Sequence, residues 1–309
     1  MKGLVGSLAE CLREVVQPML GEHAGRAHEG AGAGGDITFA IDEVAERRME
    51  AYLSEHAPHV AFYSEDRGMV SPSGDSAEWV LIVDPIDGTR PALAGLESAC
   101  VSVAAAPLDQ DPTMGDVEIG CVLEIKSGAK FLAVRGEGVE PSGNLSTNGL
   151  IERMFWTYGL RGRPVREVME VMAELVDKSS VGGAGFDLGA ATFDVTRIVT
   201  GQLDAYIEPS PRIVDEVPGM RAEFERVGDG EVLNNSPYDL AAAVLCAQEA
   251  GVVISDAWGE PLDDRLLLGS GHEYQLSCVA ACTRELHTAI CHELDLGIER
   301  LRALRRSDE

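Results

Sequence analysis

The sequence predicts a protein that mixes helices with sheet, and three observations carry that reading. Val80–Val83 is an unbroken apolar run, the mark of a strand buried on both faces. Val117–Glu124 and Lys130–Arg135 are strand-like runs on either side of Gly128, which can turn a hairpin. Residues 4–20 and 163–177 carry apolar side chains at helical spacing. With 309 residues, 45% of them hydrophobic, the chain can bury a large core in one or two domains.

Taken in order, the first helix sets Leu4, Leu8, Leu12, Val15 and Val16 on one face. Its Glu10, Arg13 and Glu14 argue against a signal peptide. Gly21–Gly35 is rich in Gly, Ala and His and reads as flexible loop, with His23 and His28 in solvent. Asp36–Asp42 opens the next helix, with Asp42 as N-cap and Ala45, Met49, Tyr52 and Leu53 on the buried face. Val60–Phe62 is a short strand running into Ser64-Glu65-Asp66. A polar loop with a turn at Ser71–Gly74 leads to the central strand, which stops at Asp84 because Pro85 holds that residue extended.

Pro91 suits the first turn of a helix, and Ala99–Ala106 is a strand. Gly136–Gly143 is a turn-rich connection and Ile151–Tyr158 a further strand. The helix at 163–177 turns Val165, Val168, Met169, Met172, Leu175 and Val176 inward. Gly189 opens another helix, Gly201 ends it, and Leu203–Ile207 is a strand closing on Glu208. Pro209–Asn235 is a polar insert, long for a connection, that reads as a lid, a dimer contact or a specificity loop. Ser236 and Pro237 then start a helix as N-cap and N1. Asp239 lies in its first turn, where the helix dipole favours an acid whatever its function. Val252–Ser255 and Gln275–Ala280 are strands, and Glu285–Arg306 is the last helix.

The net charge is −27, and the lysines are Lys2, Lys126, Lys130 and Lys178 alone. Such a chain repels polyanions, so nucleic acid is not an expected partner. A phosphate ester would need local positive charge, which bound divalent ions can supply. No apolar run reaches the ~18 residues of a membrane span, so no membrane partner is expected. Seven cysteines without paired spacing read as the reduced thiols of a cytoplasmic protein. Cys278, Cys282, His287, Cys291 and His292 fit no standard zinc spacing.

The chemistry concentrates in WVLIVDPIDGT, Trp79–Thr89. Asp84 and Asp87 end the buried strand, Gly88 lets the backbone turn, and Thr89 offers a hydroxyl. Two acids there are costly in an apolar setting, and a bound hard cation offsets that cost. Oxygen donors alone favour Mg²⁺ over Zn²⁺. The plain alternative is an Asp-Pro-x-Asp-Gly turn leaving a strand.

The full string DPIDGT resembles the signature of the inositol monophosphatase superfamily of metal-dependent, lithium-sensitive sugar phosphatases. Further motifs stand in the same order: DEVAE from Asp42, SED around Glu65, GAA at Gly189 with TGQLDAYIE to Glu208, and YDLAAAVLCAQEAG around Asp239. Asp66 replaces a second Glu, Arg90-Pro91 replace Thr-Asn, Tyr238 replaces Trp, and the insert Pro209–Asn235 is extra. The resemblance runs from Asp36 to about Leu294. It implies an α+β fold, a layered α/β/α/β/α sandwich with an antiparallel N-terminal sheet and a smaller mixed C-terminal sheet. The expected units are an N-terminal metal-binding domain, 1–180, and a C-terminal domain, 181–309, carrying the insert 209–235.

By the same resemblance, Glu65, Asp84 and the Ile86 carbonyl hold one Mg²⁺, and Asp84, Asp87 and Asp239 a second. A third, weaker ion would lie near Glu65. Thr89, backed by Asp42, orients the attacking water together with Glu65. Gly88 and Thr89 N–H groups cradle the phosphate; Asp87, Gly189 and Ala190 line the substrate pocket, and Glu208 bonds a substrate hydroxyl. Arg90 reaches a second anionic group of the substrate or serves at the surface. A homodimer is expected. The implied activity is hydrolysis of a small phosphate monoester, inositol monophosphate or a related sugar phosphate. Fructose 1,6-bisphosphate, histidinol phosphate and a 3′-phosphoadenosine nucleotide stay open as substrates. A catalytically silent binding homologue stays open too, although every expected acidic ligand is present.

Overall fold

The computed structural model describes residues 1–22, 28–31, 37–72, 76–108 and 110–307. The expectations for His23, Asp36, Ser73 and Gly74, and for the side chain of His28, lie outside them. The helices are α1 (Lys2–Val16), α2 (Ala40–His56), α3 (Thr89–Ala94), α4 (Val165–Ser179), α5 (Ala191–Val199), α6 (Ser210–Glu216), α7 (Met220–Val227), α8 (Pro237–Ala250) and α9 (Arg284–Ser307). The strands are β1 (His28–Ala31), β2 (Ile37–Phe39), β3 (Ala61–Ser64), β4 (Gly68–Val70), β5 (Trp79–Asp87), β6 (Cys100–Pro107) and β7 (Ile119–Glu124). They continue with β8 (Lys130–Val134), β9 (Gly138–Glu140), β10 (Phe155–Thr157), β11 (Ala184–Phe186), β12 (Ala205–Glu208), β13 (Val253–Ser255) and β14 (Cys278–Ala281).

Among the described residues, a seven-stranded sheet runs in the order β4-β3-β5-β6-β7-β8-β9. It is antiparallel except for the parallel pair β3–β5. A mixed five-stranded sheet runs β11-β10-β12-β14-β13, drawing β10 from residues before 180. Helices α1 and α2 cover one face of the larger sheet, α5 and α8 fill the space between the sheets, and α4 and α9 close the far side. The result is the layered α/β/α/β/α sandwich. The apolar run of β5 shows why five layers form. Leu81 and Val83 join the core under α1 and α2, while Val80 and Ile82 join the core shared with α8, and all four are fully buried.

Several expectations are corrected. The stretch expected as featureless loop contains β1, paired antiparallel with β2. Extended backbone ends at Phe39 and α2 starts at Ala40, earlier than expected, so Asp42 is the third helical residue and not the N-cap. It still caps, because its Oδ2 accepts the Phe39 N–H at 2.8 Å. The polar loop after Glu65 contributes β4 at the sheet edge, and Val165 is exposed while Val171 takes the inward place. The insert is not an open loop: α6, α7 and the link between them bury Ile213, Val214, Val217, Met220 and Phe224 in the main core. None of the seven cysteines forms a disulfide. Among the described residues, no helix is long and apolar enough to cross a membrane.

Candidate active site

The end of β5 does not stop at Asp84 as expected. Asp84 faces Ser102 on β6 and Asp87 faces Cys100, so three steps on β5 match two on β6. This bulge carries one extra residue where Pro85 cannot donate to the ladder. Residues three apart on a regular strand point to opposite faces, and the extra residue brings Asp84 and Asp87 to the same side. Gly88 then turns at φ 87°. A Cβ there would sit 2.6 Å from the Ser98 carbonyl oxygen and 2.8 Å from Ala190 Cβ, so only glycine fits.

The third carboxylate comes from α8. Ser236 is its N-cap and Pro237 its N1, as expected, and Asp239 Oδ2 accepts the Ser236 N–H at 2.6 Å. Ser102 Oγ donates to the Tyr238 carbonyl at 3.1 Å, tying this turn to the sheet beside Asp84. One oxygen each from Asp84, Asp87 and Asp239 lie within 4.8 Å of one another. Among the described residues this is the one such cluster of three metal-competent side chains. Glu65, Ile86, Gly88, Thr89, Arg90 and Gly189 line the same cavity, of about 40 Å³. Ala190 lines the adjoining cavity.

Thr89 Oγ1 lies 3.0 Å from Asp42 Oδ1 and 3.1 Å from the Ile86 carbonyl oxygen, and can donate to either. Asp42 therefore spends one oxygen on the start of α2 and the other on Thr89. Asp87 Oδ2 accepts the Thr192 N–H at 2.7 Å and the Thr192 hydroxyl, which anchors it to the first turn of α5. Arg90 packs its guanidinium over the Phe39 ring, 5.4 Å from the centroid. Glu208 is not among the residues lining either cavity. It is fully buried and pairs with Arg163 at 2.7 Å, and Arg163 is the side chain that reaches the cavity wall.

Electrostatics make this cluster costly without a cation. Burial, then the charges of Glu65, Asp87 and Asp239, hold the Asp84 carboxyl well above its ordinary range. Burial pushes Asp87 up to about 6, against the bonds from Thr192 and the charge of Arg161. Buried, mutually repelling carboxylates with oxygen donors only are a donor set that fits hard divalent ions.

Four contributors escaped the sequence reading. Glu46 is 1% exposed and lies under the Glu65 turn, accepting the Ser64 hydroxyl at 3.0 Å and the Asp66 N–H at 3.4 Å. Its signal was the last acid of DEVAE. Arg161 lines both cavities, and its signal was a Gly-Leu-Arg-Gly-Arg run of cations in a chain of charge −27. Asp187 and Asp194 line the adjoining cavity, with Asp194 raised well above the usual carboxylate range by burial and by Asp87 and Asp187. Neither stood out among 52 acids.

Comparison with known proteins identifies the family. Residues 3–297 match the inositol monophosphatase family. A fructose-1,6-bisphosphatase/inositol-1-monophosphatase of Methanothermobacter thermautotrophicus is 27% identical, over 96% of this chain and 96% of that protein. The Nus factor SuhB of Pseudomonas aeruginosa is 26% identical over 72% of this chain and 73% of its own. The solved structure of a Thermotoga maritima IMPase superposes with a TM-score of 0.70 at 17% identity, covering 96% of each chain. The chain belongs to the inositol monophosphatase family.

Proposed function

We propose that this family member hydrolyses a small phosphate monoester, inositol monophosphate or a related sugar phosphate, with Mg²⁺ as its metal. The observation that carries the reading is the triad of carboxylates at the bulged end of β5, beside the Thr89–Asp42 pair. Glu65, Asp84, the Ile86 carbonyl, Asp87 and Asp239 would hold two or three ions. Bound there, the metal would neutralise phosphate charge and make water acidic enough to attack near neutral pH.

The chain's own residues do the rest. Thr89 donates its hydrogen to Asp42, which leaves its lone pairs to accept one from the attacking water. Glu65 borders the same space and holds that water from its other side. The N–H groups of Gly88 and Thr89, at the start of α3, bond the phosphate oxygens. The released alcohol rests in the adjoining cavity. A cytoplasmic homodimer completes the reading, and Phe155, Val181 and Phe186 leave exposed apolar surface near the β10–β11 edge.

A second reading has a specific basis. Arg90 and Arg161 both line the metal cavity, which suits a substrate with a second anionic group, such as fructose 1,6-bisphosphate. The test is phosphate release by the purified protein with Mg²⁺ from inositol 1-phosphate, fructose 1,6-bisphosphate, histidinol phosphate and 3′-phosphoadenosine 5′-phosphate. Release from a sugar or polyol ester, abolished by EDTA, is expected. Mg²⁺ binding with no release from any ester would replace the proposal with a silent binding role.

A further inference from the structure

The cavity adjoining the carboxylates shares Asp87, Arg161, Gly189 and Asp239 with them, so a substrate whose phosphate faces the metal ligands extends into it. Ala190, Ala191 and Tyr206 of the motifs line it, but one part of its wall lies outside them. It comes from the end of the insert, Leu233–Asn235. Leu233 seats on Gly162, where a Cβ would lie 2.8 Å from its Cδ1, and so fixes the insert between Arg161 and Arg163. Asn234 Nδ2 donates to Gln275 Oε1 at 3.1 Å, and Asn235 Nδ2 donates to the Tyr206 hydroxyl at 2.7 Å. The Leu276 N–H closes on the Asn235 carbonyl at 2.8 Å. This wall is preorganised.

Three polar atoms of cavity-lining residues are buried without a hydrogen-bond partner: Arg163 Nε, Asp194 Oδ1 and Asn234 Oδ1. Arg163 and Asp194 are 7% and 2% exposed. Buried polar atoms are rarely left so, and a ligand is one reason for the exception. The set is one donor and two acceptors. A hydroxyl both donates and accepts, so adjacent hydroxyls on one ring satisfy all three. A cationic body would meet Arg161 and Arg163. A nucleobase would find no aromatic platform among the lining residues except Tyr206, and the cavity measures about 70 Å³, small beside the ~300 Å³ and more of drug-sized sites.

We infer that the insert is a specificity element, in which Asn234, with Asp194 and Arg163, receives the hydroxyls of a compact polyol on the side away from the phosphate. The inference rests on the phosphatase reading and assigns to this chain's insert the hydroxyl recognition expected of Glu208. Its test is the ratio of kcat/KM for a polyol phosphate (inositol 1-phosphate, glucose 1-phosphate or glycerol 2-phosphate, whichever is turned over best) to that for phenyl phosphate. In Asn234→Ala that ratio is expected to fall roughly 10-fold or more, the scale of one lost hydrogen bond to a buried group. A ratio within twofold of wild type, with the melting temperature unchanged, overturns the inference. Asp194→Ala, which removes the acceptor, tests the same wall from the α5 side and should shift the ratio in the same direction. Should the wild type hydrolyse none of these esters, the phosphatase reading fails on its own. Calorimetric affinity for inositol 1-phosphate in the presence of Ca²⁺ then decides. Binding weakened tenfold by Asn234→Ala supports the specificity role, and equal or absent binding overturns it.

Discussion

The end of β5 and the insert at 209–235 meet at one cavity, yet they are built on opposite principles. At β5 buried acids crowd together, and a bulge, a tight glycine and a proline interrupt the ladder. The insert is the reverse, two short helices with an apolar side docked in the core and ion pairs outside, among them Arg221–Glu225 and Arg226–Glu223. Burial and repulsion mark the residues proposed to handle the phosphate, whereas the residues proposed to shape selectivity ride on an ordinary packed element. The contrast predicts different responses to mutation in the two regions.

The largest effect is expected at Asp84. Asp84→Asn removes the carboxylate at the centre of the cluster and should lower Mg²⁺-dependent phosphate release by ~10³-fold or more. The same change relieves a buried charge, so in EDTA at pH 8 the variant should melt higher than the wild type. A variant that loses activity and also melts lower without metal would mean that the cluster stabilises the fold, and the contrast would collapse.

Phe224→Ala probes the other region. Phe224 is fully buried, and truncating such a ring costs ~3–5 kcal/mol. Urea unfolding should show that loss. A lid or a free loop would lose almost nothing, so an unchanged midpoint would refute the packed insert.

These cases also show what the sequence made legible. Asp84, Asp87, Glu65, Asp239, Thr89 and Asp42 were readable because strand end, glycine and hydroxyl fall in one short string and the remaining acids stand in a fixed order. Asp42 and Asp239 each occupy the third helical position and accept the N–H of their own N-cap, and each also stands at the candidate site. A carboxylate has two oxygens, so capping never excluded a second role. The bulge was not legible, because strand register depends on the partner β6. The helices of the insert were legible but obscured: Ile213, Val217, Met220 and Phe224 recur every three or four residues among prolines and charges. Leu233–Asn235 carried no local signal, because only tertiary packing brings them to Gly162 and Gln275.

The smallest expected effect lies between the two regions, at Glu46. Burial is the largest cause that pushes its carboxyl up to about 7 from an ordinary 4.5. In the folded protein it therefore holds a proton that the unfolded chain has already lost at pH 5–6. The sign follows: the folded state binds more protons between about 4.5 and 7, so this group's contribution falls as pH rises through that window. From pH 5 to pH 8 the loss amounts to roughly 2–3 kcal/mol. Glu46→Gln keeps a side chain able to bond Ser64 and carries no titrating proton. Unfolding free energies measured in EDTA at both pH values should show wild type losing more than the variant by that amount. Equal losses would mean that water or rearrangement solvates Glu46, and that the turn carrying Glu65 is looser than its hydrogen bonds to Ser64 and Asp66 describe. If the difference appears, the burial of acids at the end of β5 extends one layer deeper, into the support beneath Glu65. The boundary between the acid-burying and the apolar regions then runs along α2 and not along the cavity wall.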